Sequence, residues 1–215
     1  MTYTLYNRLG SGGFACEAAL ELAGQPYELT LLDSKPNTPI PPEFRSINPW
    51  GQVPALITPG GTLVTETGAI LIHIAGRYPG PQTGPTPWTD AHATLMRWVV
   101  FLSANIYEGI LRFAYPDRYT TDPDGKRGLL EATAARNHQA FGLLEAELAD
   151  RPFLLGETLT VADVYMAMLY GWHREREDLP RCTALTHAVA AHPAIRPVWQ
   201  RNFGERQKTD WGNPG

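Results

Sequence analysis

Only two cysteines occur in 215 residues, Cys16 and Cys182. They are too few for a disulfide framework and too far apart for a C-x-x-C redox pair. A reduced cytoplasmic setting is the expectation that follows. Long apolar runs are also missing. The longest, near residues 69–72 and 98–102, fall far short of the ~20 residues needed to span a bilayer, so no membrane partner is expected. The opening MTYTLYNRLG has neither a basic stretch nor an apolar one behind it, and a signal peptide is not expected. There is no excess of positive charge: 18 Lys+Arg against 22 Asp+Glu give a net charge of -4 and a pI of about 5.9, which speaks against nucleic acid as a partner. The histidines (His73, His92, His138, His173, His187 and His192) fall at no metal-ligand spacing, so no metal is expected. Repeats and low-complexity tracts are absent. What is present is 43% hydrophobic content, which suits a globular core, in a length that allows one large domain or two small ones.

Residues 3–6 (YTLY) read as a short strand. Gly10, Ser11, Gly12 and Gly13 form a loop, and residues 14–23 a helix with Phe14, Ala18 and Leu22 on one face and Gly24 as its stop. Residues 27–32 are a second strand, alternating Tyr27, Leu29 and Leu31 with Glu28 and Thr30. This β-α-β unit implies a parallel pair with a right-handed crossover. Residues 33–42 read as loop, with a short helix near 43–46. Residues 55–58 and 62–65 flank Pro59-Gly60-Gly61 as a hairpin, and residues 67–78 form a helix with Ile70, Leu71 and Ile74 as its stripe. The order is that of the thioredoxin topology. Pro79, Pro81, Pro85 and Pro87 mark a linker over 79–89. Beyond it the pattern is helical: 90–113, 125–149, 161–172, 183–191 and 194–203, a bundle with no convincing strand. The fold expected is α+β, a thioredoxin-like βαβ-ββα domain at 1–78 and an all-α bundle domain at 90–204, with a tail at 205–215.

The stretch NPWGQVPAL, residues 48–56, carries the most information. Pro54 stands where a strand begins, and lacking a backbone N–H it is a turn or edge device there. Val-Pro ahead of a strand in a compact domain makes a cis bond plausible. Such a bond could turn the Val53 N–H and C=O outward, to pair with a peptide-like ligand as an added strand would. Ten residues on, TETGAI (65–70) runs from a strand end into a helix. Together these segments resemble the glutathione-binding half of the glutathione transferases.

The resemblance implies glutathione as co-substrate and a small electrophilic molecule as its partner. A free thiol has a pKa of about 8.5, so the protein must stabilise the thiolate. One charge-assisted hydrogen bond, worth about 1.5–3 kcal/mol, lowers that pKa by roughly 1–2 units. Ser11 falls where serine-type members carry their catalytic hydroxyl, and LGSGG resembles their loop. It also precedes a helix, so plain capping is its other reading. Tyr6 aligns with the hydroxyl of tyrosine-type members, or is a half-buried strand aromatic. Cys16 lies too far inside its helix for the cysteine-type pattern and reads as a small buried residue. Glu66 and Thr67 resemble the pair that holds the γ-glutamyl end of glutathione: a carboxylate for its ammonium, a helix N-terminus for its carboxylate. Val53 would bind the cysteinyl main chain beside cis Pro54, and Gln52 the glycyl end.

In the second half, Thr160-Val161-Ala162-Asp163 within LTVADVYMAM is a capping box with Asp in place of Glu, resembling one in the family's helical domain, and its role is folding. The electrophile pocket is expected between the halves, with Tyr107, Phe113 and Tyr115 as walls and Arg112 to orient an anion, although Tyr107 and Tyr115 read equally as core. Trp98 and Phe101 read as core. The activity implied is conjugation by a cytoplasmic, homodimeric detoxification enzyme. Two alternatives stand beside it: a non-catalytic ligand-binding protein on the same fold, or a glutathione-dependent reductase or isomerase, which would need a reactive cysteine or acid pocket.

Overall fold

The computed structural model describes residues 2–33 and 39–204; the expected tail and part of the loop at 33–42 lie outside these. The first domain runs β1 (Tyr3–Asn7), α1 (Gly13–Leu22), β2 (Tyr27–Leu31), α2 (Pro42–Ile47), β3 (Ala55–Ile57), β4 (Leu63–Thr65) and α3 (Thr67–Arg77). Its mixed sheet has the order β2-β1-β3-β4. β1 pairs in parallel with β2, Tyr3 opposite Tyr27, and antiparallel with β3, Leu5 opposite Leu56. This is a thioredoxin-like domain. β2 is an edge strand, which is why the alternation read in it fades and Leu31 ends up exposed.

The period of two along β1 decides what reaches the site. Tyr3, Leu5 and Asn7 are buried together on one face, while Thr4 and Tyr6 sit on the other. The Tyr6 ring lies 5.6 Å from that of Phe44 in α2. Asn7, a polar residue in core phase, points to the α1 side, where no Cβ fits on Gly13 because the Asn7 amide fills the space.

The second domain is helical: α4 (Asp90–Phe101), α5 (Glu108–Ala114), α6 (Gly125–Glu147), α7 (Val161–Gly171), α8 (Pro180–Ala191) and α9 (Arg196–Phe203). The single helix expected over 90–113 is interrupted. A π-type segment, Leu102–Tyr107, joins α4 to α5 with widened turns. Every residue of α7 is buried, as an all-round apolar helix must be, and it packs against α1, α4 and α8. Trp98 belongs to the core, and Phe101 packs partly buried against it. Helix α1 is buried over residues 13–20. Its Glu17 is fully buried, ion-paired with Arg201 of α9 and accepting a hydrogen bond from Asn202 Nδ2 at 3.2 Å. Helix α1 thus packs on a second face, beyond the stripe of Phe14, Ala18 and Leu22. None of the described helices is long and apolar enough to cross a membrane.

Candidate functional site

Three backbone features of the first domain converge near the second. The first is the turn ahead of β3. Asn48 organises it: its Nδ2 donates to the Gln52 carbonyl at 2.7 Å and its Oδ1 accepts from the Trp50 N–H at 3.2 Å. The Val53–Pro54 bond is cis. Val53 is half-buried, and its N–H and C=O have no hydrogen-bond partner among the described residues. Backbone N–H and C=O groups both seek partners, so two open ones on one residue offer an edge with which another main chain can pair. Gln52 beside it is exposed.

The second feature is the start of α3. Glu66 occupies the N-cap position with φ 66° and ψ 121°, a region that L-residues avoid, and its side chain makes no cap bond. Holding a non-glycine residue there costs of order 1–3 kcal/mol, and such residues gather at ligand clamps. Glu66 is exposed; Thr67 is buried, and its Oγ1 donates to the Gly12 carbonyl at 3.3 Å, joining the start of α3 to the start of α1.

The third is the loop from β1 to α1. Asn7 Oδ1 accepts from the Arg8 N–H at 2.7 Å and from Ser11 Oγ at 2.8 Å. Ser11 Oγ in turn accepts from the Gly13 N–H at 3.3 Å, a local turn just ahead of α1, whose N-cap is Gly12. From the far end of the chain, Asn202 Oδ1 accepts from the Gly10 N–H at 3.2 Å. Gly12 admits no side chain: a Cβ there would collide with the Tyr107 hydroxyl and lie 2.7 Å from Thr67 Oγ1. Tyr107 comes from the π-type segment, with its ring 5.7 Å from Trp172 and 6.1 Å from Tyr165.

Ser11, Glu66, Thr67 and Tyr107 thus belong to one neighbourhood, with Val53 on the adjoining edge. Tyr6 faces α2 instead. Phe113 lies under the guanidinium of Arg174 and Tyr115 under that of Arg118, at 5.2 and 4.1 Å. Arg112 is paired with Glu108 at 3.6 Å and faces Tyr119. Both cysteine thiols are buried, and burial pushes each well above the ordinary thiol range, so neither is a ready nucleophile. Among the described residues no group of three or more His, Cys, Asp or Glu could hold a metal ion. A shallow cavity of about 360 Å³ lined by Pro79, Pro85, Leu155 and Glu157 shares no residue with this neighbourhood.

Asn7, Asn202 and Trp172 were not anticipated from sequence. Asn7 had a signal, since a polar residue stands where the strand alternation demands a core one. Asn202 and Trp172 had none.

A thioredoxin-like sheet with a cis-proline edge, joined to a helical bundle that reaches its first loop, defines a class. The model of the glutathione S-transferase N-terminal domain matches residues 1–76 and that of the C-terminal domain residues 102–203. The chain belongs to the glutathione S-transferase family. It is 27% identical over 203 residues to the uncharacterized GST-like protein YncG of Escherichia coli K12, covering 92% of this chain and 97% of that one. With glutathione S-transferase GST-4.5 of Xanthomonas campestris it is 28% identical over 182 residues, 84% and 88% of the two chains. Among solved structures, a ternary complex of the bacterial transferase BphK superposes with a TM-score of 0.80 at 25% identity, over 92% of this chain and 98% of that one.

Proposed function

We propose that the protein is a cytoplasmic glutathione transferase that joins the glutathione thiolate to a small electrophile, detoxifying it, and works as a homodimer. The observation that carries the reading is Val53, whose N–H and C=O lie open beside Pro54 with no partner among the described residues. A peptide main chain is a ligand with which two such groups on one residue can pair. Its γ-glutamyl end then falls to Glu66 and Thr67, where the carboxylate meets the ligand's ammonium and the uncapped start of α3 meets its carboxylate. Gln52 is left to the glycyl end. The cysteinyl sulfur faces the start of α1, beside the loop that carries Ser11, where the helix dipole favours an anion.

Thiolate formation is followed by attack on an electrophilic carbon or sulfur, with displacement of a leaving group or addition to an activated double bond. No metal enters. The electrophile lies against the helical domain, near Tyr107, Phe113 and Tyr115, with Arg112 within reach of an anionic group.

The test is retention on immobilised glutathione, followed by turnover of aryl halides, epoxides, enals and peroxides. Retention with turnover of at least one class is the expected result. Retention without turnover on any would make the protein a glutathione carrier. Failure to be retained would remove both readings.

A further inference from the structure

Three hydroxyls meet where α1 and α3 begin, and their protons have different destinations. Ser11 Oγ donates to Asn7 Oδ1 at 2.8 Å. The Asn7 amide cannot turn over to reverse this, because its Oδ1 also accepts from the Arg8 N–H at 2.7 Å and a reversed amide would set its NH₂ against that donor. Thr67 Oγ1 donates to the Gly12 carbonyl. Tyr107 differs: its hydroxyl lies against Gly12, in the space a side chain there would need, and its proton has no acceptor among the described residues.

The chain goes to some length to bring this phenol here. The π-type segment ends on Tyr107, and such widened turns collect at functional sites. One residue more or less in the helix would swing the ring by ~100° about the axis. Ser103 of the same segment packs onto Gly68, 2.5 Å from where a Cβ would stand, and shares a 3.1 Å hydrogen bond with Tyr165. Gly12 in turn must lack a side chain to leave room for the hydroxyl. Burial, reinforced by neighbouring Cys16 and Glu66, pushes the phenol well above its ordinary pKa. It therefore stays a neutral O–H donor at any working pH.

We propose that Tyr107 is a catalytic residue whose O–H donates to the glutathione sulfur at the start of α1, while Ser11, its proton held by Asn7, braces the turn that leads into that helix. This rests on the glutathione reading above. In the step itself the thiol S–H bond breaks and the proton leaves to solvent. The sulfur keeps the electron pair and Tyr107 keeps its proton, so no base is consumed.

The experiment titrates the thiolate absorbance of the glutathione complex and the pH profile of kcat/KM in the wild type, Tyr107→Phe and Ser11→Ala. In Tyr107→Phe the thiol pKa should rise by about one unit, so that kcat/KM falls about tenfold on the acid limb and recovers at high pH, with retention on glutathione kept. Ser11→Ala should leave the thiol pKa nearly in place and lower the unfolding midpoint. Fluorotyrosine at position 107, a stronger donor of almost the same shape, should lower the thiol pKa. An unmoved pKa in both position-107 variants overturns the proposal while the glutathione reading stands. A shift confined to Ser11→Ala overturns it in favour of Ser11. A wild type that binds no glutathione overturns the reading and this proposal together.

Discussion

Two helices of this chain begin in opposite ways. At α7 the protein satisfies itself. Asp163 accepts from the Thr160 N–H at 2.7 Å, from Thr160 Oγ1 at 2.9 Å and, with its other oxygen, from the Leu154 N–H at 2.7 Å. All of this is buried. At α3 the N-cap residue Glu66 is exposed, strained at φ 66° and makes no cap bond. A helix start needs its N–H groups answered by something. The α7 start is answered from within and serves folding. The α3 start is left to be answered from outside, which is how a binding site differs from a structural joint built of the same parts.

The sharpest way to break this contrast is at α7. Asp163→Ala strands two buried N–H donors and the Thr160 hydroxyl at once. The expected loss is about 3–5 kcal/mol, summing a lost cap and buried groups without partners. Urea denaturation measures it. A loss below about 1 kcal/mol would mean that the α7 start is no more self-contained than the α3 start.

The far end of α7 gives the next largest effect. His173 is buried against Phe141, 4.6 Å between ring centroids, and stacked with His138 at 5.6 Å. Burial first, then the nearby charges of His138 and Arg176, pull its pKa down from 6.5 to about 4; the Asp178 carboxylate pulls the other way. The unfolded chain therefore binds a proton at His173 that the folded chain refuses. Stability falls as pH drops from about 6.5 through about 4, by up to about 3 kcal/mol. Unfolding midpoints collected across that window should decline in the wild type and flatten in His173→Phe. A decline of the same size in the variant would assign it to other groups.

The two helix starts were unequally legible in the sequence. Thr160 and Asp163 stand three apart ahead of an apolar run, and a capping box is local: nothing beyond those residues is needed to read it. The cis bond at Pro54 and the helix start after TET were legible for the same reason. The π-type segment was not. LSANIY reads as ordinary helix, and the widened turns answer to packing partners, Gly12 and Gly68, that are distant in sequence. The burial of Glu17 depends on α9, which brings Arg201 and Asn202 to it from the far end of the chain. Asn202 holds the Gly10 N–H across 192 residues of chain, a relation that no window contains. Local chemistry was readable, then, and the hold of the helical domain on the first loop was not.

The smallest effect tests the α3 side most directly, because stability and binding should move in opposite directions. Glu66→Gly relieves the unfavourable φ, a gain of order 1–3 kcal/mol, against the 0.5–1 kcal/mol that glycine's extra freedom costs. The fold should gain about 1 kcal/mol. The same change removes the carboxylate proposed to meet the ligand's ammonium, and glutathione affinity should fall about tenfold, since an exposed ion pair with one charged hydrogen bond contributes about 1–1.5 kcal/mol. Denaturation and calorimetric titration of one variant read both. A variant that is more stable and binds glutathione as before would leave the strain without a role, whereas one that loses both would make Glu66 a structural cap, the counterpart of Thr160 and not its opposite.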